Sequence, residues 1–303
     1  MTEPDIRDRT VPVDGAVLNV AEYGPSDGPV VLAIHGITSS SRAWIALARL
    51  LPDVRIVAPD LRGRARSNRA EGPYGLATLR DDMRHVLDTL DLGPVVVVGH
   101  SMGAFVAALL AAADPRRVAE AVLVDGGFPL ALPPGVTRED LAALSPAALL
   151  GPAFDRLTRI FATREAYRDF WRAHPAFAAD WTDDVAAYAD YDLEPADGGL
   201  RPSANPVAVA EVQKELFGTD LHRQMLARIT QPTTVLRAPL GLQAAPPGLY
   251  APGVLNGFTA DLPQLEVVEV PDVNHYTILR TRPGVDAVAD VVQRAVTRLP
   301  SPA

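Results

Sequence analysis

The chain has 303 residues, 48% of them hydrophobic and 21% charged, with no cysteine and a formal net charge of −9. That length and apolar content suit a large buried core rather than disorder throughout, and the missing cysteines exclude disulfides, thiolate nucleophiles and Cys-ligated metals. An acidic balance without a basic, aromatic-studded patch argues against a nucleic-acid partner.

The N-terminal MTEPDIRDRT mixes charges of both signs and has no apolar leader core. Apolar runs such as AFVAALLAAA are too short to span a bilayer. The expectation is a soluble, cytoplasmic protein with no membrane partner. The six histidines lack metal-ligand spacing, so neither metal nor organic cofactor is expected. Short apolar runs then follow one another: LNVAEYG, PVVLAIHG, RIVAPD, PVVVVGH and VAEAVLVDG. Runs without alternation suit strands covered on both faces. The intervening SRAWIALARLL, TLRDDMRHVLDTL and MGAFVAALLAAA carry helical spacing. This is the pattern of an α/β protein with a mostly parallel, doubly wound sheet.

After Asp125 the rhythm changes. From Gly126 to Ile229 strands vanish, and Thr137, Thr163 and Asn205 stand where helices should begin. Strands return at TTVLRAP and LEVVEVP, and PGVDAVADVVQRAVTRL closes the chain with Pro283 at a helix start. We therefore expect a core of residues 1–127 and 230–303, with a helical cap of residues 128–229 inserted after the sixth strand. No internal repeat is present, and oligomeric state is not readable.

The most informative segment is VVVVGHSMGAFVAALL, a strand ending in Gly99-His100-Ser101-Met102-Gly103 that opens a helix. G-x-S-x-G between strand and helix is a nucleophile elbow: glycines permit the tight turn, and the serine hydroxyl is exposed at a helix N-terminus. Ser101 needs a base. His85 belongs to a sheet-layer helix, His174 and His222 to the insertion, and His100 sits inside the elbow pointing elsewhere. His35 precedes a glycine in HGITSS, which reads as an oxyanion loop. His275, after the last strand, is the remaining candidate. The backbone N–H groups of Ile37 and Met102 are the candidate oxyanion donors, because backbone donors are rigid and add no titrating group.

HGITSSSRAW, PDLRGRARS, GHSMG and a late histidine together resemble the α/β-hydrolase superfamily, from about Val11 to Leu299. The resemblance implies the α/β-hydrolase fold with a helical cap. Asp60, Arg62, Gly63 and Ser67 match a family loop in which Ala65 replaces the usual second glycine; we read that loop as scaffold. Many members place the acid of a Ser-His-acid triad after the seventh strand, but TTVLRAPLGLQAAPPGLY contains no carboxylate there, only Arg237 and Gln243. Asp261 reads as a turn residue. Asp272 lies three residues before His275, while Asp125 ends the sixth strand, where some haloalkane dehalogenases and zearalenone-opening lactonases carry their acid. Asp125 is preferred and Asp272 stays open.

The resemblance implies a serine hydrolase of carboxylic esters or lactones, with zearalenone-type lactones as one substrate class. Two alternatives remain: a carbon-carbon bond hydrolase of vinylogous diketones, and a non-catalytic ligand receptor. Gly36, Phe128, Trp181 and Tyr188 are expected to line the substrate site, with Leu240, Leu242 or Leu249 of the proline-rich loop beside them.

Overall fold

The computed structural model describes residues 5–299, so the expected core segments 1–4 and 300–303 lie outside the described residues. The hairpin β1 (Ile6–Val13) and β2 (Ala16–Tyr23) leads into β3 (Val30–Ile34), β4 (Arg55–Pro59), β5 (Val95–His100) and β6 (Val118–Val124). A small hairpin, β7 (Leu193–Ala196) and β8 (Gly199–Pro202), lies in the insertion. The main sheet is completed by β9 (Thr233–Arg237) and β10 (Leu265–Glu269). Its order is β1-β2-β4-β3-β5-β6-β9-β10, with β1 and β2 antiparallel to their neighbours and the rest parallel.

The helices are α1 (Ile45–Leu50), α2 (Leu76–Thr89), α3 (Met102–Ala113), α4 (Pro146–Leu150), α5 (Arg164–Arg172), α6 (Asp183–Tyr191), α7 (Pro206–Val212), α8 (Asp220–Leu226), α9 (Asn256–Thr259) and α10 (Gly284–Val296). Alternation along the strands splits the core in two. Val95 and Val97 pack with Leu79 and Met83 of α2 and Phe105 of α3, whereas Val96 and Val98 face Leu47 of α1 and Val288 of α10. A third apolar cluster, around Phe161, Tyr167, Trp171 and Phe177, belongs to the insertion. Because β5 is covered on both faces, all six of its residues are buried.

Two details of the insertion differ from the sequence reading. Strands do not vanish: β7 and β8 pair around an Asp197-Gly198 turn, with Gly198 at φ 84°. Pro195 and Pro202 hid this hairpin, since proline lowers strand expectation away from edges, while the Asp-Gly signal was present. Thr137 opens no α-helix. Its N–H and hydroxyl are both taken by the Asp140 carboxylate, a single turn follows, and the chain restarts at Ser145, whose side chain caps α4. Thr163 and Asn205 do cap helices, α5 and α7.

Candidate active site

The turn after β5 carries Ser101 at φ 55°, ψ −124°, outside the usual region for a side-chain-bearing residue. Crowding explains the flanking glycines. A Cβ on Gly103 would lie 2.0 Å from the Ile34 carbonyl oxygen, and one on Gly99 would lie 2.3 Å from the carbonyl oxygen of Gly103. Gly126 was not singled out from sequence, yet a Cβ there would come 2.2 Å from the Ser101 carbonyl oxygen. The Asp125-Gly126 turn and the elbow thus touch backbone to backbone.

Register places Asp125. Strands β5, β6 and β9 are parallel neighbours and end at one sheet edge, with Ser101 N–H donating to Val124 O at 2.9 Å and Asp125 N–H donating to Leu236 O at 2.7 Å. Asp125 leaves β6 at φ 43° and is wholly buried. One of its oxygens accepts His275 Nδ1–H at 2.7 Å, and the other accepts the Ala238 N–H at 3.1 Å. The vacancy after β9 is therefore filled by a backbone donor: where the resemblance leads one to expect a carboxylate, this chain presents an N–H that steadies Asp125. Asp272 stands in an exposed turn at φ 57°, and the His275 ring turns to Asp125 instead.

The His275 turn is held by side-chain caps. Asn274 N–H donates to Thr277 Oγ1 at 2.8 Å, Asn274 Oδ1 accepts from Tyr276 N at 2.9 Å, and Asn274 Nδ2 reaches Ala176 O of the insertion at 2.9 Å. His100 does not point away, as its place in the elbow suggested. Its Nε2–H donates to the His275 carbonyl at 2.8 Å, and the two rings lie 4.8 Å apart. Burial, aided by the neighbouring His275 and Arg280, holds His100 well below the usual imidazole range. It therefore acts as a neutral brace on the His275 backbone.

The loop after β3 approaches from the other side. A Cβ on Gly36 would lie 3.2 Å from the Ser101 Cβ, so only glycine lets this backbone come so close. His35 Nε2 accepts Leu61 N–H at 2.9 Å, and its Nδ1–H donates to Gly36 O at 2.8 Å. Burial lowers the His35 pKa to about 3, which keeps that tautomer neutral. The Gly36 carbonyl shares a peptide plane with the Ile37 N–H, so the bond fixes where that donor points. Among the described residues, neither the Ile37 nor the Met102 N–H has a protein acceptor. Beneath lies the scaffold loop. Asp60 accepts from Ser41 N and Tyr191 OH, Arg62 pairs with Asp82, and Ala65 sits at φ 46°, where glycine would be unstrained.

These groups face one cavity of about 580 Å³, counting its open mouth. Ser101, His275, Gly36, Ile37, Met102 and Tyr188 all border it, as do Leu242 and Leu249 of the proline-rich loop. Phe128 and Trp181 do not. Phe128 is fully buried against Phe258, with its backbone bound by the Tyr250 hydroxyl, because the chain leaving the Asp125 turn dives into the core. Trp181 packs under Arg172 on the outer side of the cap cluster. Leu240 pairs with Asn274 instead of lining the cavity. Sequence reasoning missed Phe105, Phe154, Tyr276 and Arg280 on the cavity wall. Phe105 was recoverable, being one helical turn beyond Ser101; Arg280 gave no local signal. Among the described residues, no group of His, Asp and Glu gathers as a metal would require, and no helix is long and apolar enough to cross a membrane.

Comparison with known proteins bears on the fold. The family model described as alpha/beta hydrolase fold matches residues 29–280. The 2-(acetamidomethylene)succinate hydrolase of Mesorhizobium japonicum is 31% identical over 269 residues, covering 88% of each chain. Lipase LipV of Mycobacterium tuberculosis is 48% identical over 108 residues, but this match spans 36% of the present chain and 41% of LipV. The crystal structure of E-2-(acetamidomethylene)succinate hydrolase superposes with a TM-score of 0.78 at 26% identity, covering 97% of this chain and all of that one. With a buried parallel sheet, a serine elbow after β5 and a family match across most of its length, this chain belongs to the α/β-hydrolase family.

Proposed function

We propose that this protein is a serine hydrolase that cleaves a carboxylic ester or lactone by acyl transfer to water. The observation that carries the reading is the buried His275–Asp125 hydrogen bond beside a strained Ser101, with both His275 and Ser101 on one cavity. Asp125 holds Nδ1–H, which leaves Nε2 free to accept the Ser101 proton as Oγ attacks the carbonyl carbon. The Ile37 and Met102 N–H groups receive the oxyanion, and the N-terminal end of α3 adds a favourable field. His275 then protonates the leaving alcohol. A water, deprotonated by the same ring, releases the acyl group and regenerates Ser101.

The Leu and Phe side chains of the cavity suit an apolar acyl or alkoxy portion. Macrolactones of the zearalenone type remain within this class. The relative named for 2-(acetamidomethylene)succinate extends the class to consider from esters to other acyl derivatives.

A fluorophosphonate probe tests the reading. Folded protein should be labelled at Ser101 and Ser101→Ala should not; an unlabelled, folded wild type removes every serine-hydrolase assignment. A panel of aryl esters, macrolactones and ring-fission diketones then sorts the substrate class, and turnover confined to the diketones would replace acyl-oxygen cleavage by carbon-carbon cleavage.

A further inference from the structure

Among the described residues five arginines are buried: Arg62, Arg64, Arg156, Arg237 and Arg280. Four have what a desolvated guanidinium needs. Arg62 pairs with Asp82, Arg156 with Asp192, and Arg237 with Glu269. Arg64 lacks a carboxylate, but its N–H groups go to the carbonyls of Ile37, Arg62 and Ala208 at 3.0, 2.6 and 3.1 Å. Arg280 has neither arrangement. One nitrogen donates to Tyr276 O at 3.1 Å, another makes a long contact of 3.5 Å to Ser39 Oγ, and the buried Nε has no partner. Arg280 sits over the face of the Tyr188 ring, with the guanidinium carbon 4.1 Å from the ring centre.

Its position makes the deficit meaningful. Arg280 borders the same cavity as Ser101 and His275, and among the described residues none bordering that cavity is acidic. Asp125 is turned to His275 and to the Ala238 N–H. On the outer side, Asp184 is engaged by Arg49 at 2.5 Å. A planar guanidinium is thus held in a buried wall, with no carboxylate partner among the described residues, braced by Tyr188 and the Tyr276 carbonyl. Such a fork matches a carboxylate, and low local dielectric strengthens the attraction.

We infer that Arg280 binds a carboxylate on the substrate, so that the preferred substrates are acyl compounds carrying a second, anionic group away from the scissile carbonyl. The inference rests on the serine-hydrolase reading above. It divides the cavity into a charged end at Arg280, which anchors the acid, and an apolar remainder.

The test compares mono-4-nitrophenyl glutarate, which is anionic, with 4-nitrophenyl pentanoate, a neutral ester of like length. Both release 4-nitrophenolate. Wild type should favour the glutarate by at least about tenfold in kcat/KM. Arg280→Gln should lose about tenfold to a hundredfold on the glutarate, mainly through KM, with the pentanoate changed less than about threefold. Arg280→Lys should recover part of the loss. Equal loss on both esters, or no preference in wild type, overturns the inference. If Arg280→Gln does not fold, glutarate should still protect wild-type Ser101 from the fluorophosphonate while glutaramide does not; absence of protection overturns it equally. Labelling without anion preference removes this inference alone, whereas absent labelling removes the reading beneath it.

Discussion

In the sheet half, Ser101, Asp125 and Ala238 follow the ends of three adjacent parallel strands, and backbone hydrogen bonds set their positions. In the insertion, Arg156, Tyr167, Asp192 and Ser203 come from four separate segments and meet largely through side chains. Arg156 Nε donates to Tyr167 OH at 3.0 Å, Tyr167 OH donates to Asp192, and Ser203 Oγ donates to Asp192 at 3.2 Å. Arg156 also reaches Thr38 O at 3.4 Å, so the cap network leans on the loop that offers Ile37. The contrast separates two jobs. A reaction frame built on strand ends is as rigid as the sheet, whereas a lid built on side-chain contacts can vary its contents and reshape the cavity without moving the frame.

Four changes would break or sharpen this division. The largest effect belongs to the frame: Asp125→Asn should lower kcat by about 10³–10⁴-fold by upsetting the His275 tautomer, while Asp272→Asn stays near wild type; initial rates on an aryl ester compare the two. Comparable losses in both variants would mean that the frame does not choose the acid. In the cap, Asp192→Asn leaves Arg156 buried without its counter-charge, and urea unfolding should show a loss of about 3–5 kcal/mol. Its kcat should suffer far less than that of Asp125→Asn, with the change concentrated in KM.

A frame variant with no charge change comes next. Gly126→Ala pushes a methyl group against the Ser101 carbonyl oxygen and should cost about 1–3 kcal/mol. Because the strain falls on the elbow, the rate of fluorophosphonate labelling should drop along with the thermal midpoint; a lower midpoint with unchanged labelling would show that the two turns are not coupled.

The smallest effect is in pH. Burial holds His35 at about 3 and His100 well below the ordinary value, near 6.5, that each recovers on unfolding. Between those values the unfolded chain binds protons that the folded chain refuses, so this contribution to stability is present above about pH 6.5 and is lost as pH falls. Unfolding free energies from urea titration should decline from pH 7.5 to 5.5 by about 1 kcal/mol per histidine, and His100→Gln should flatten the slope. An unchanged slope would show that the sheet half does not keep His100 neutral.

Local grammar carried much of the fold. The run VVVVGH announces a strand buried on both faces, and Gly-x-Ser-x-Gly announces the turn that follows, because each depends on residues within a few positions of one another. The same grammar failed inside the insertion, where Pro195 and Pro202 masked the β7–β8 hairpin and Thr137 imitated a helix cap. It also placed Phe128 and Trp181 at the substrate on composition alone, although burial direction is a property of packing.

The sequence by itself determined the strand succession of the main sheet, the serine elbow, the late histidine and the empty acid position after β9, since all are patterns of neighbouring residues. Only the tertiary structure decided how that vacancy is filled. Asp125 lies 150 residues from His275 and 113 from Ala238, and the sheet order β6-β9-β10 brings the three together. The same holds for Arg280, an unremarkable arginine in sequence. Its character comes from what surrounds it in space: the Tyr188 ring, the Tyr276 carbonyl and a cavity wall without an acid.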